Sequence, residues 1–102
     1  MSRAKKDNGV ELGMTLKYEV RWSHDAKKTH HKLGSNYQTR FKHMVKILEE
    51  SPYHYGKAIK RLSGELSGLY RYRVGKLRIF YVIISSERAV YITNIDARGD
   101  AY

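Results

Sequence analysis

The chain has 102 residues, 41% of them hydrophobic, and carries a formal charge of +10 from 20 Lys and Arg against 10 Asp and Glu. That length supports one modest core and leaves no room for a second independent domain, while the charge selects polyanionic partners: nucleic acid first, an acidic protein second, an anionic membrane surface third. Cysteine is absent, which removes disulfides and thiolate sites, and no apolar run approaches the roughly 20 residues of a bilayer span, so a cytoplasmic protein outside the membrane is expected.

Residues 1–13 are polar, charged and punctuated by Gly9 and Gly13, and read as a disordered leader, with Met14 as an alternative start. Residues 14–102 read as a single domain. Leu16, Tyr18, Val20 and Trp22 alternate with Lys17, Glu19, Arg21 and Ser23, the period-two pattern of a half-buried strand. Ser23 is placed to cap a following helix, with Asp25 in its first turn favourable to the helix dipole and Gly34 as its stop. Ser35-Asn-Tyr-Gln38 has the form of a capping box. Tyr37, Phe41, Met44, Val45 and Leu48 then recur at helical spacing until Ser51-Pro52 ends the pattern. An antiparallel helical hairpin is predicted. Arg40, Lys42, His43 and Lys46 occupy the other face of its second helix, which reads as a solvated surface or a seat for an acidic segment.

Residues 53–68 are loop-like, with Ala58, Ile59 and Leu62 as anchors. Strands follow over 69–74, 77–85 and 90–96, with Gly75 and Lys76 in the first turn. The dense run Ile79-Phe-Tyr-Val-Ile-Ile84 suits a strand covered on both faces and therefore central. The fold class is α+β: an N-terminal strand, a helical hairpin, and a three-stranded antiparallel meander.

The meander carries the most informative feature. Arg71, Arg73, Lys76 and Arg78 crowd one strand-turn-strand, and the nearest carboxylates along the chain are Glu65 and Glu87. Alternation sends Leu69, Arg71 and Arg73 to one face and Tyr70, Tyr72 and Val74 to the other. A close turn at Gly75 brings Arg78 near Arg73, although a one-residue slip would reverse its face. Like charges side by side on a sheet repel unless a partner neutralises them, so this face expects a polyanion. Tyr70 and Tyr72 fall on the core face and read as packing.

These residues also carry a resemblance. Lys60-Arg-Leu-Ser-Gly64, Leu69-Tyr-Arg-Tyr-Arg-Val-Gly75, Leu77-Arg-Ile-Phe-Tyr81 and Ile95-Asp-Ala-Arg-Gly-Asp-Ala-Tyr102, in that order, resemble the RelE/ParE superfamily of toxin-antitoxin toxins, and its RelE branch most. The resemblance implies a twisted antiparallel sheet with helices on one face and an open basic face on the other. It also implies ribosome-dependent cleavage of messenger RNA in the A site, by attack of a ribose 2′-oxygen on the adjacent phosphorus, without metal or other cofactor. The products are a 2′,3′-cyclic phosphate and a free 5′-hydroxyl. Arg71, Arg73, Arg78, Arg98 and Tyr102 match the family's catalytic positions, and Lys60, Arg61 and Lys76 are expected to bind RNA. The implied partners are a cognate antitoxin, through which the toxin oligomerises, messenger RNA on the ribosome, and ribosomal RNA. A gyrase inhibitor of the ParE type, with the same fold and no nuclease activity, is the alternative.

Arginine stands at 71 and 73 where the well-known bacterial form has lysine. A guanidinium keeps its proton at a pKa above about 12, so these two residues read as phosphate clamps rather than bases. Tyr102 is a candidate base or a stacking platform, and the general base is left open between Tyr102, the loop before Leu69 and the ribosome. Of the histidines, His24, His30, His31 and His43 fall on predicted helices, away from the basic face, and none belongs to a metal-ligand pattern. His54 alone sits in a loop.

Overall fold

The computed structural model describes residues 17–33, 35–64 and 68–96. Its elements run β1 (Glu19–Trp22), α1 (His24–Leu33), a 3₁₀ turn (Ser35–Tyr37), α2 (Gln38–Glu50), β2 (Ile59–Arg61), β3 (Leu69–Val74), β4 (Leu77–Ile84), a second 3₁₀ turn (Ser85–Glu87) and β5 (Ala89–Asp96). The α+β class and the helices on one side of a sheet are as expected, but the sheet is larger than a three-stranded meander. It has five strands in the order β1-β5-β4-β3-β2, with β1 parallel to β5 and the remaining pairs antiparallel.

β2 was expected to be loop. Only Ile59 of its three residues is buried, too little apolar alternation to announce a strand, and its pairing with β3 supplies the order that its side chains do not. β4 is central in the sheet as predicted, but is not covered on both faces. Ile79 and Tyr81 are buried, while Arg78, Phe80 and Val82 are only partly so, because both helices pack on the same side. The first strand begins later than its alternation suggests. The Tyr18 amide donates to the Glu49 carbonyl at the end of α2 (2.8 Å) and only from Glu19 does the chain pair with β5.

Ser23 caps α1 as predicted, its Oγ accepting from the Ala26 amide at 3.0 Å. The capping box before α2 does not form. Tyr37 is the residue at the cap and makes no side-chain capping bond, because the 3₁₀ turn over Ser35–Tyr37 delays the helix start and puts Ser35 too far from it. Helix α2 ends as predicted, the Ser51 amide making the last bond to the Ile47 carbonyl (2.7 Å) before Pro52. Pro52 is buried, and its carbonyl accepts from the buried Tyr81 hydroxyl at 2.8 Å.

The core lies between the helices and one sheet face. Ala26, Phe41, Met44 and Leu48 meet Tyr70, Tyr72, Ile79, Tyr81, Val90 and Ile92, each at most 8% exposed. The helices touch through the His30 and Phe41 rings, whose centroids are 4.8 Å apart, and His30 stacks on Trp22 at 4.9 Å. Among the described residues, no helix is long and apolar enough to cross a membrane.

One irregularity decides which residues reach the open face. Phe80 pairs with Asn94 while Tyr81 pairs with Ile92, so Thr93 is an inserted residue in β5. Without the bulge, alternation from Ile92 would send Ile95 to the open face and Asp96 into the core. With it, Ile95 opposes Ile79 in the core and Asp96 opposes Arg78 outside. The bulge is secured at both ends of its residue. Thr93 Oγ1 donates to the Phe80 carbonyl at 3.2 Å, and the Thr93 carbonyl accepts from Ser23 Oγ at 2.6 Å. Ser23 therefore serves the helix cap and the bulge with one hydroxyl.

Candidate functional site

The face of the sheet turned away from the helices is organised in cross-strand rows. In one, Lys60 opposes Arg71, which opposes Phe80, which opposes Asn94; in the next, Arg73 opposes Arg78, which opposes Asp96. Directly opposed residues share a face with Cβ atoms about 5 Å apart, so the register settles the earlier ambiguity: Arg71, Arg73 and Arg78 lie together. Arg73 is exposed, and Arg71 and Arg78 are half-buried. Beside them, a third row runs Leu69, Val82, Tyr91 and Arg21. Phe80 and Val82 give the face a partly apolar floor, and Tyr91, 36% exposed, offers a ring on the same side.

The electrostatics of the cluster favour a negative charge on this face. Burial first, and then the charges of Arg73 and Arg78, push the pKa of Arg71 below the ordinary guanidinium value. Its Nε is buried without a hydrogen-bond partner. A buried polar atom left unpaired in a native fold is costly, and an arriving phosphate would both pair it and relieve the repulsion among the three guanidiniums.

Asp96 is the residue that sequence reasoning missed. Arg78 Nη2 lies 2.5 Å from Asp96 Oδ2, with the two side chains 26% and 16% exposed. The basic stretch has no acid near it along the chain, yet β5 brings one across the sheet. Among the described residues neither Arg71 nor Arg73 forms an ion pair, whereas the expectation of arginines with no carboxylate among them is corrected for Arg78, and the physical reason is the bulge at Thr93.

The other expected residues divide. Lys60 stands in the Arg71 row, whereas Arg61 opposes Tyr70 and therefore projects to the helix side, at the exposed edge of the sheet. Lys76 is exposed in the turn between β3 and β4. Arg98 and Tyr102 lie outside the described residues. Tyr70 and Tyr72 are buried at 8% and 4% exposure, as packing requires. His24, His30 and His31 lie on α1, as expected. His43 does not keep away from the basic residues: with Arg40 and Arg73 it lines a cleft of about 300 Å³ between α2 and the β3–β4 turn. Among the described residues, no group of three or more His, Cys, Asp or Glu is gathered as metal ligands.

Chemically, three guanidiniums gathered above an apolar floor can hold a phosphodiester and neutralise charge that builds on it during displacement. They cannot take a proton. Tyr81 is no substitute: burial first, then Tyr70 and Tyr72, hold its hydroxyl well above the usual phenol range, and it donates to the Pro52 carbonyl.

Comparison with known proteins agrees with this fold. The family described as ParE toxin of type II toxin-antitoxin system, parDE, matches residues 20–102. A Methanocaldococcus jannaschii protein named as a RelE1 toxin is 38% identical over 64 residues, 62% of this chain and 70% of that protein. In the archaeal RelE–RelB complex from Pyrococcus horikoshii OT3, a chain 28% identical superposes with a TM-score of 0.69, covering 80% of this chain and 96% of that one. In the RelBE2 complex from Mycobacterium tuberculosis the corresponding values are 27%, 0.67, 78% and 96%. The family match begins inside β1 and takes in both helices and every later strand, and the chain belongs to the RelE/ParE superfamily, as a toxin of a type II toxin-antitoxin system with a RelE-like fold.

Proposed function

We propose that the toxin is an endoribonuclease of the RelE type, cutting messenger RNA in the ribosomal A site. The observation that carries this reading is the convergence of Arg71, Arg73 and Arg78 on one open face, with Arg71 held there against burial and two like charges. Cleavage by internal transfer forms a bond from the ribose 2′-oxygen to phosphorus and breaks the bond to the 5′-oxygen, leaving a 2′,3′-cyclic phosphate and a 5′-hydroxyl. Charge accumulates on the non-bridging oxygens as five oxygens crowd the phosphorus, and that is where guanidiniums are most effective. The 2′-hydroxyl proton needs an acceptor and the leaving oxygen a donor. Tyr102, the loop before Leu69 and the ribosome are the sources left for these two steps, with Arg98 adding positive charge at the phosphate and Lys60 holding the flanking backbone.

The relatives solved as RelE–RelB and RelBE2 complexes support an antitoxin partner for this chain, whose acidic segment would cover the basic face and through which the toxin would oligomerise in the cytoplasm. A second reading is favoured by the family match itself, which is to ParE: the same fold would then inhibit DNA gyrase without cutting RNA. Purified ribosomes programmed with a defined message separate the two. Cleavage within A-site codons supports the nuclease; an intact message at saturating toxin overturns it, and arrest of gyrase supercoiling in a parallel assay would put the ParE reading in its place.

A further inference from the structure

The cleft between α2 and the β3–β4 turn has a composition that folding does not account for. Thr39, Arg40, His43, Tyr72, Arg73, Val74 and Gly75 line it, and none of them is acidic. Arg40 lies in the first turn of α2, where the helix dipole favours anions and a cation has the wrong sign; no acid occupies that turn to offset it, and no side chain caps the helix. Neither Arg40 nor Arg73 forms an ion pair among the described residues; Arg40 has only the Tyr37 ring beneath it, 5.8 Å from its guanidinium carbon. The turn is shaped to admit Arg40. Gly75 has φ +58, which by itself favours glycine, and the absent Cβ leaves room for Arg40 Nη1, which would stand 2.8 Å from it.

Arg73 joins this cleft to the open face, since it lines the one and opposes Arg78 on the other. From this continuity we propose that the cleft is a second phosphate site: Arg40, with Thr39 and His43 beside it, binds a backbone phosphate of the RNA whose scissile phosphate lies at Arg71 and Arg78. The inference rests on the nuclease reading above and extends it by fixing the path of the strand, which leaves the open face at Arg73 and turns over the β3–β4 hairpin onto α2. A phosphodiester suits the site because its charge is single and diffuse and its oxygens accept from guanidinium, hydroxyl and imidazole alike. The positive end of α2 adds to the same field.

The test is equilibrium binding of a fluorescein-labelled single-stranded RNA dodecamer across a salt series, for the wild type, Arg40→Gln, Arg40→Lys and Arg71→Gln. Loss of one phosphate contact lowers the slope of log affinity against log salt by about 0.7 for a single strand. The expected result is a five- to tenfold weaker Arg40→Gln at low salt, with that drop in slope and unchanged thermal stability, and partial recovery in Arg40→Lys. Wild-type affinity and slope in Arg40→Gln, with Arg71→Gln impaired, overturn the cleft and leave the nuclease reading standing. Wild-type binding in both variants overturns the nuclease reading as well. A loss in Arg40→Gln confined to binding of a poly-glutamate peptide, with RNA binding intact, assigns the cleft to a protein partner and overturns the proposal.

Discussion

Replacing Asp96 with Asn should move stability and RNA binding in opposite directions. The carboxylate is held 2.5 Å from Arg78 Nη2, with both side chains largely shielded, so the pair is closer to a buried charged hydrogen bond than to a surface ion pair. Such a bond contributes about 1.5–3 kcal/mol net. Asn keeps the shape and one acceptor oxygen, which places the loss near the lower end, about 2 kcal/mol once the weaker screening between Arg73 and Arg78 is included. At about 5 °C per kcal/mol for a domain of this size, Tm falls by about 10 °C. Binding gains instead. Removing one negative charge about 7 Å from a bound phosphate is worth about 0.6 kcal/mol in water, roughly threefold in affinity at low salt and less as salt rises. Calorimetry and RNA titration on the same preparation check both. An unchanged Tm would show that the pair carries no weight, and weaker RNA binding would show that Asp96 shapes the face rather than neutralising it; either refutes the reasoning.

Ser23→Ala removes the α1 cap and the support of the bulge carbonyl together. It should cost about 2 kcal/mol, above the ~1 kcal/mol usual for a cap alone, and a urea midpoint shift measures it. Gly75→Ala imposes a left-handed backbone on a residue with a Cβ and displaces Arg40 Nη1; a loss of about 1 kcal/mol is expected in the same titration, with weaker RNA binding if Arg40 must leave the cleft. His30 has its pKa pushed below 6.5, by burial first and then by the charge of His31. The unfolded chain therefore binds that proton more readily than the fold does, so this contribution to stability is full above about pH 6.5 and is lost as pH falls from there through the lower pKa of the folded state. Between about pH 7.5 and 5.5 the wild type should lose more Tm than His30→Phe, which keeps the ring contacts with Trp22 and Phe41 without titrating; equal slopes would mean that His30 is not the group responsible.

Much of the site was legible because it is local. Alternation alone separates Arg71 and Arg73 from Tyr70 and Tyr72, and the structure keeps that division. Gly75 and Lys76 mark the turn that opposes Arg73 to Arg78. The helix limits at Ser23 and Pro52 follow from side-chain and ring chemistry in the same way. What escaped is non-local or weak in side-chain signal. β2 has one buried residue and borrows its order from β3. Arg40 looked like one cation among several on a solvated helix face, although a cation in the first turn of a helix with no acid there was a sign available from sequence.

Asp96 escaped for a reason that bears on the design of the face. Distance along the chain says nothing about a partner delivered by another strand, and even a correct pairing of β4 with β5 would have placed Asp96 in the core had the strand been regular. One inserted residue, Thr93, reverses the alternation of everything after it. The bulge thus sets the charge of the site: it turns Ile95 inward, where the core needs it, and turns Asp96 outward, where it tempers Arg78 and leaves Arg71 and Arg73 to a ligand. Because Ser23 fastens that bulge to the start of α1, the helix on the far side of the sheet has a mechanical hold on the electrostatics of the open face. Ser23→Ala should therefore do more than lower stability. If the bulge slips, Arg78 loses its counter-ion, and RNA binding at low salt should shift in the direction set by Asp96→Asn; a destabilised Ser23→Ala variant that binds RNA like the wild type below its melting range would show that the bulge holds without its fastening.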